Sequence, residues 1–301
     1  MRLSTPGSAW AERRPVAATA GAASPLRWLP RPVARSPLAL VALGLVAAWG
    51  VAAFSAPVLA PHLPLAQDIV HRLSPPSRDH WLGTDPLGRD VLSRILYGAR
   101  LSIPVGAAAV VLAGGLGIAL GGAAGFLGGI VDETIMRITD LMLAFPTVIL
   151  AMVITAALGA GIHNAVLAIM VAWWPSYARL ERGLVLAVRQ REFVEAARVL
   201  GASRLRIALR HVLPATISPI VILGTLDVGH AILTFASLSF LGLGPPPQVP
   251  EWGSMIAAGR NYLNQWWIAT FPGLAILSLV LAFNVVGDSL RDLLDPRLRR
   301  V

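Results

Sequence analysis

The sequence predicts an all-α integral membrane protein with six transmembrane helices, and two observations carry that prediction. Only 14% of the 301 residues are charged and 55% are hydrophobic, whereas soluble proteins carry about 25% charged residues. The apolar residues are gathered into runs long enough for a helix to cross a bilayer, which takes about 20 residues. Because these runs are spread over most of the chain, they indicate one membrane unit rather than two soluble domains.

The first apolar run covers residues 37–59 and has no charged residue. The second lies within residues 101–126 and carries Gly117, Gly121 and Gly125 at four-residue spacing. That spacing predicts a face of small residues on which another helix packs closely. A nucleotide-binding glycine loop is the competing interpretation. It is disfavoured because the glycines lie inside an apolar run of helical length, with no strand before it.

The next four spans follow from two interruptions. A short polar turn is predicted at residues 127–137. Residues 141–178 contain no Asp, Glu or Arg and are too many for one span, so the turn Gly159-Ala160-Gly161 is expected to divide them. The third to sixth spans are predicted at residues 138–158, 165–186, 215–241 and 268–287.

The distribution of arginine predicts the orientation. The N-terminal tail, the loop after the fourth span and the C-terminal tail hold six, eight and four arginines. With six spans all three lie on one side, and the excess of basic residues in cytoplasmic loops makes that side the cytoplasm. The predicted division is a largely disordered cytoplasmic tail at 1–36, a transmembrane domain at 37–290, and a cytoplasmic tail at 291–301. Within the domain, 61–100 and 242–267 are extracytoplasmic, and 179–214 is the cytoplasmic loop.

Two residue types are missing from the chain, cysteine and lysine. Without cysteine there is no disulfide, thiolate ligand or cysteine nucleophile. Without lysine there is no nucleotide-binding P-loop, so ATP, if it is used, is bound by another subunit. The net charge of +9 comes from arginines clustered outside the apolar runs, which fits membrane topology better than nucleic-acid binding. No catalytic residue and no cofactor is predicted, and an intramembrane enzyme is disfavoured because the chain has no His-Glu-x-x-His motif.

The stretch between the fourth and fifth spans is unlike either of them. Residues 192–214 read EFVEAARVLGASRLRIALRHVLP, which is too polar to cross a bilayer. The pattern predicts a helix, a turn at Gly201, a second short helix and a stop at Pro214. A basic amphipathic helix on the membrane surface is the alternative.

This stretch resembles the cytoplasmic EAA loop of ABC importer permeases, whose pattern is E-A-A, three residues, G, nine residues, H-x-L-P. Two further stretches, at residues 81–100 and 237–298, point the same way. Together they resemble the dipeptide/oligopeptide/nickel permease family, in particular the C-type member of its permease pair. The resemblance covers about residues 30 to 300. The residues of the loop that match are Glu195, Ala196, Ala197, Gly201, His211, Leu213 and Pro214.

The resemblance implies a type I ABC importer permease (MetI-like) fold in a bacterial inner membrane. It also implies partners: a second, B-type permease, two ATP-binding subunits and an extracytoplasmic solute-binding protein, with membrane lipid around them. Di- or oligopeptides are the implied solutes, and a nickel chelate, glutathione or another small solute is the alternative. A stand-alone secondary transporter or channel is the competing class of function, but such a carrier would not need the EAA loop.

The resemblance also implies which residues couple this chain to an ATP-binding subunit. His211 allows a second interpretation as a proton switch or a ligand, but a hydrogen bond at a helix boundary is favoured. One position departs from the family, which usually has Glu where this chain has Phe235, and that puts the polar lining near this position in doubt. The implied coupling residues are Glu195, Ala196, Ala197, Gly201, Ala202, Arg206, His211 and Pro214.

Asp227 and His230 lie three residues apart inside the predicted fifth span and therefore share one helical face. Ionisable groups inside a membrane are costly and usually face a cavity or a partner. They either line the translocation pathway or form a satisfied pair packed against another helix. Two ligands do not close a metal coordination shell, so no metal site is predicted here.

Two further groups of side chains are assigned to the ends of the spans. The tryptophans are expected in interfacial belts, and Trp252 is the one that could stack on a solute because its loop is predicted outside. Salt bridges and caps are expected at the inner end of the last span. The tryptophans are Trp173, Trp174, Trp252, Trp266 and Trp267, and the charged residues are Asp288, Arg291, Asp292, Asp295 and Arg297.

Overall fold

A computed structural model describes residues 36–294 of the chain. The predicted tail at 1–36, apart from its last residue, lies outside the described residues, as do Asp295 and Arg297. The described part is helical and contains no strand. Its helices are α1 (Pro37–Phe54), α2 (Ala56–Leu59), α3 (Val91–Leu127), α4 (Gly129–Leu143), α5 (Thr147–Leu158), α6 (Ile162–Arg189), α7 (Glu192–Val199), α8 (Arg204–Ile207), α9 (Leu213–Phe240), α10 (Trp252–Gly259) and α11 (Trp267–Leu294).

By length and composition, four helices of the described part can cross a membrane: α1, α3, α11 and the continuous helical segment Arg204–Phe240. The pair α4 and α5 adds a fifth if the two are one broken span, since they meet at a bend of 93°. Helix α6 has 28 residues, but Arg179, Glu181 and Arg182 make its second half too polar for that class. The structure thus agrees approximately with the six predicted spans. Four of the described helices qualify, the bent pair gives a fifth if it is one span, and α6 gives a sixth if its polar second half is accepted.

The predicted third span, a single helix at 138–158 after a turn at 127–137, is wrong. Residues 129–143 are already helical, and the chain bends before a second helix begins at Thr147. Pro146 lies at the bend, where its ring and missing N–H prevent the helix from continuing. The polar residues that indicated a turn lie instead on a helix face. Asp132, for example, accepts two hydrogen bonds from the guanidinium of Arg182, at 2.5 and 2.7 Å.

Two other helix boundaries differ from the prediction. Helix α3 begins at Val91, ten residues before the predicted range, because the carboxylate of Asp90 caps it by accepting a 2.7 Å hydrogen bond from Ser93 N. The segment predicted outside as 61–100 is therefore non-helical only as far as residue 90. Pro214 is not a stop. It is the second residue of α9, and a π-helical turn at Ala208–Val212 joins α8 to α9, so the helical segment continues through the proline.

The predicted small-residue face is confirmed where α3 packs along α6. A Cβ atom added to Gly117 would lie 2.3 Å from the Cβ of Tyr177. At Gly121 it would lie 2.2 Å from the carbonyl oxygen of Ala178, a backbone atom that cannot move aside. The two helix backbones are therefore in direct contact, as the spacing of the glycines predicted. The glycine turn between α5 and α6 is also confirmed, with φ of 93° at Gly159.

Residues 60–90 pack against the segment that joins α9 to α11. Trp252 is fully buried there and donates a 3.0 Å hydrogen bond from Nε1 to the carbonyl oxygen of Ile95. Trp267 donates in the same way to the carbonyl oxygen of Thr84, at 3.1 Å. The full burial of Trp252 excludes stacking of a solute on its ring in this structure. Trp174 and Trp267 are buried as well, and the interfacial position of the tryptophans stays a prediction. The indole of Trp252 packs against Trp49 of α1 and bonds to Ile95 of α3.

Candidate functional site

A cleft of about 440 Å³ opens between α5, α6 and α9. Asp227 and His230, the two ionisable residues that the sequence placed on one face of the fifth span, both line it. Its other polar groups come from α6, from the start of α5 and from Thr234 of α9, so three helices build the site. The remaining lining residues are Thr147, Val148, Trp173, Ser176, Tyr177, Leu223, Leu233 and Thr234.

The carboxylate of Asp227 is held by the opposite wall of the cleft. Its Oδ2 atom accepts a 2.6 Å hydrogen bond from the hydroxyl of Tyr177 on α6. Nδ1 of His230 lies 3.9 Å from Oδ1 of Asp227, which is within electrostatic range but too far for a hydrogen bond. The side chain of Asp227 is 21% exposed and that of His230 is 56% exposed. Asp227 is thus bonded to another helix, as one of the two alternatives predicts, and it also faces the cleft. Its place on a translocation pathway stays a prediction.

Phe235, the departure from the family pattern, does not line the cleft. Its side chain is fully buried in an apolar cluster with Ile169 and Leu238, while the preceding residue, Thr234, faces the cleft. The ring therefore contributes to packing between α6 and α9. The acidic and basic side chains that line the cleft are Asp227 and His230, and position 235 does not reach it.

A second, apolar cleft of about 330 Å³ lies between α3, α6 and the start of the Arg204–Phe240 segment. Glu181 lines it and is only 1% exposed. Its Oε1 atom accepts a 2.8 Å hydrogen bond from the hydroxyl of Thr216, and its Oε2 atom has no hydrogen-bond partner among the described residues. This bond joins α6 to α9 on the side of the arginine-rich loop. Sequence reasoning did not assign Glu181 a role, because its partner lies 35 residues away.

The loop between α6 and α9 folds on a small apolar core of its own. Val194 and Ala197 of α7 pack against Val185, Val188 and Ile207, which belong to α6 and α8. Gly201 has φ of 80°, a left-handed conformation that favours glycine. The predicted glycine turn is therefore confirmed, and the two short helices are held at a fixed angle.

The coupling residues named from the sequence lie on different faces of this loop. Glu195 is exposed and pairs with Arg198 at 2.6 Å, one turn further along α7. Ala197 is buried inside the loop, whereas Ala196 is exposed. Arg206 and Pro214 are exposed, and Ala202 and His211 are half-buried. In the part of the chain that the structure describes, these eight residues therefore do not form one cluster.

An exposed apolar patch on the same loop was missed by the sequence reasoning. Val199 and Leu200 at the end of α7 are 80% and 86% exposed, and Leu205 and Leu209 beyond the turn are exposed as well. Exposed apolar patches often mark a contact with another protein, and Leu205 and Leu209 also line the apolar cleft of Glu181. The signal in the sequence was present, since four aliphatic residues flank Gly201 among arginines.

Basic side chains tie the loop to the bundle. Arg189, at the end of α6, donates a 2.6 Å hydrogen bond from Nη1 to the carbonyl oxygen of Gly125 near the end of α3, and its guanidinium lies over the ring of Phe126. The bidentate pair of Arg182 with Asp132 joins α6 to α4. These bonds join α6, which leads into the loop, to α3 and to α4.

Comparison with known proteins gives consistent matches. Residues 117–300 match the family model described as "Binding-protein-dependent transport system inner membrane component". The probable D,D-dipeptide transport system permease protein DdpC of Escherichia coli (strain K12) is 46% identical over 87% of this chain and 88% of its own length. The dipeptide transport system permease protein DppC of Alkalihalophilus pseudofirmus is 42% identical over 92% of both chains. The nickel transport system permease protein NikC of Escherichia coli (strain K12) is 43% identical over 86% of this chain and 94% of its own length.

Proposed function

The chain belongs to the family of binding-protein-dependent transport system inner membrane components, and from this premise we propose that it imports di- or oligopeptides as one half of an ATP-driven permease pair. The observation that carries the choice of solute is the similarity to two permeases whose names specify dipeptides, at 46% and 42% identity over nearly the whole chain. The length and the apolar helices of the chain agree with a multi-pass membrane protein.

The chemistry of the cleft between α5, α6 and α9 supports a peptide as the solute. A short peptide carries an ammonium group, a carboxylate and at least one amide. The carboxylate of Asp227 suits an ammonium group through a charge-assisted hydrogen bond, and the partly exposed ring of Trp173 offers an apolar and aromatic surface. In this proposal the cleft is the part of the translocation pathway that this chain contributes, and the second permease closes it.

A nickel chelate is the second candidate solute, because NikC of Escherichia coli is also 43% identical to this chain. Asp227 and His230 are two ligand types that a nickel ion accepts. Their ligand atoms lie 3.9 Å apart, but two ligands leave most of the coordination shell to other groups. The peptide is therefore the proposed solute and nickel the alternative that the same experiment tests.

We assign the coupling to the loop of residues 179–214. The apolar patch of Val199, Leu200, Leu205 and Leu209 is suited to a groove on an ATP-binding subunit, with Glu195 beside it as a charged anchor. The chain has no lysine for a P-loop of its own, so the ATP is bound and hydrolysed by the partner. This loop is also the feature that favours an ATP-driven importer over a stand-alone transporter or channel.

The proposed assembly contains this chain, a B-type permease, two ATP-binding subunits and an extracytoplasmic solute-binding protein. In it both termini of the chain and the loop at 179–214 are cytoplasmic, because 18 of the 25 arginines lie in those three segments. Residues 60–90 and the segment between α9 and α11 then face the solute-binding protein. The proposed boundaries of the transmembrane domain are residues 37–290.

Uptake into proteoliposomes tests the proposal. The complete transporter is reconstituted with ATP inside and supplied with its binding protein and either a labelled dipeptide or Ni²⁺ outside. We expect ATP-dependent uptake of the dipeptide, and none when the ATP-binding subunits are left out. Uptake of Ni²⁺ without uptake of any di- or oligopeptide would show that the solute is nickel and not a peptide. Solute uptake by this chain alone would contradict the importer assignment.

A further inference from the structure

His62, His80 and Asp90 converge at the junction between α2 and α3. Nδ1 of His80 lies 2.9 Å from Oδ1 of Asp90, and Nδ1 of His62 lies 3.8 Å from the same oxygen. The two imidazole rings are 4.7 Å apart and tilted by 31°. One ligand atom from each of the three residues falls within 4.8 Å of the other two. Ligand atoms from three residues that lie 10 or more positions apart in the chain therefore surround one small volume.

The carboxylate of Asp90 is oriented by the start of α3. Its Oδ2 atom accepts hydrogen bonds from both N and Oγ of Ser93, each 2.7 Å long. This leaves Oδ1 free to face the two histidines, and the side chain of Asp90 is fully buried. The backbone N of His62 in turn donates a 3.1 Å hydrogen bond to Oγ of Ser93. Ser93 thus holds both the carboxylate of Asp90 and the backbone of His62.

A proton alone does not account for this arrangement. One proton can join His80 to Oδ1 of Asp90, and it leaves Nδ1 of His62 at 3.8 Å, outside hydrogen-bond range. Zinc binds nitrogen and oxygen ligands at about 2.1 Å, which places tetrahedral ligand atoms about 3.4 Å apart. The two separations from Oδ1, 2.9 and 3.8 Å, lie on either side of that value. Each of these two separations is thus within about half an ångström of the spacing that a single tetrahedral cation requires.

We propose that His62, His80 and Asp90 form a binding site for a divalent transition-metal ion, with Zn²⁺ as the best-suited ion. Two imidazoles and one carboxylate are a ligand set that such ions prefer, whereas Mg²⁺ and Ca²⁺ prefer oxygen ligands alone. The half-exposed side chain of His62, at 41%, leaves room for water in the remaining positions. The ion ties the end of α2 to the first turn of α3.

The site is separate from the cleft of Asp227 and His230 and does not depend on the solute. It lies in the non-helical segment 60–90 and at its border with α3, where all three ligands come from this chain. An ion there stabilises the arrangement of the first two membrane-spanning helices, because binding to the folded state alone raises its stability.

Zinc titration of the full-length chain without a histidine tag tests the site. We expect one Zn²⁺ per chain by calorimetry, a dissociation constant at least tenfold weaker in His62→Ala, and no effect of 1 mM Mg²⁺. His62 is the residue to change because its ring makes no hydrogen bond among the described residues, whereas loss of His80 also removes a bond to Asp90. His163→Ala is the matched control, since this histidine is exposed and lies in the first turn of α6.

Thermal unfolding gives a second measurement. Saturating Zn²⁺ is expected to raise the Tm of the wild-type chain and of His163→Ala, and to leave the Tm of His62→Ala where it was. The proposal is overturned if the chain binds no Zn²⁺, if His62→Ala binds it as tightly as the wild type, or if His163→Ala loses binding to the same extent. A His62→Ala chain with the wild-type Tm in the absence of metal shows that its fold is intact.

Discussion

The hydroxyl of Tyr177 donates a 2.6 Å hydrogen bond to Oδ2 of Asp227, and this bond joins α6 to α9 at the wall of the cleft. These two helices lead into and out of the loop that we propose as the coupling element. A change in the angle between them therefore acts on the same carboxylate that the proposed pathway presents to the solute. The second bond between the two helices, from Thr216 to Glu181, lies nearer the loop.

Asp227→Asn removes the charge and keeps the size of the side chain. We expect uptake of a dipeptide to fall at least tenfold, because an amide replaces a carboxylate that suits an ammonium group, a difference of about 1.4 kcal/mol or more. The transporter complex is expected to assemble normally, as judged by co-purification of its subunits. Tyr177→Phe is the matched control, because it loses the hydrogen bond and keeps the charge.

The two variants separate the pathway role from a structural one. If Asp227→Asn and Tyr177→Phe both prevent assembly, the pair is structural and the cleft is not the pathway. Full uptake in Asp227→Asn would likewise remove this carboxylate from the pathway.

Gly121→Ala tests the contact between α3 and α6. The added methyl group would meet the carbonyl oxygen of Ala178 at 2.2 Å, so one helix must move, and overpacking of this kind costs about 1–3 kcal/mol. We expect a lower Tm for the purified complex. Gly115→Ala on the same helix meets nothing within 4 Å, and it is expected to keep or raise the Tm. Equal Tm values for the two variants would contradict direct backbone contact.

Phe235→Glu restores the residue type that the family usually has at this position. We nevertheless expect it to destabilise this chain by several kcal/mol, because position 235 is fully buried among apolar side chains and a buried charge without a partner is costly. Membrane yield and Tm are the measurements. Phe235→Leu is the control, and we expect it to lose far less stability. A Phe235→Glu chain as stable as the Leu variant would mean that this position reaches water or a cation.

Reporter fusions test the proposed orientation. A reporter at residue 80 or 255 is expected to read extracytoplasmic, and one at residue 200 or 298 cytoplasmic, because most arginines lie in the tails and in the loop after α6. A cytoplasmic signal at residue 80 would reverse the assignment of the segment that holds His62 and His80.

Much of this fold followed from local sequence patterns. The apolar runs located the helices, the four-residue spacing of Gly117 and Gly121 predicted the α3–α6 contact, and Gly201 was recognised as a turn. Each of these signals lies within one turn or one helix, where spacing determines which residues share a face.

The parts that sequence reasoning missed depend on partners far apart in the chain. Nothing in the sequence near Asp227 indicates Tyr177, 50 residues before it. Residues 127–137 were predicted to form a turn because several of them are charged. Most of them belong to helix α4, where Asp132 pairs with Arg182 on α6. Trp252 was expected to be able to stack on a solute because its loop was predicted outside, but it packs against Trp49 of α1 and bonds to Ile95 of α3.

We propose that the loop at 179–214 passes the motion of the ATP-binding subunit to α6 and α9. Gly201 tests it most directly, because its φ of 80° holds α7 and α8 at their angle while no atom lies near a Cβ placed there. Gly201→Val strains only the backbone, by about 1 kcal/mol or more. Gly201→Asn is the matched control, since Asn tolerates the left-handed conformation.

The decisive measurement is ATP-dependent dipeptide uptake together with ATPase retention in the reconstituted Gly201→Val and Gly201→Asn transporters. We predict that Gly201→Val inserts normally but either loses the ATP-binding subunits or hydrolyses ATP without uptake, while Gly201→Asn keeps most of both activities. Normal uptake and normal ATPase retention in Gly201→Val would contradict the assignment of this loop as the coupling element.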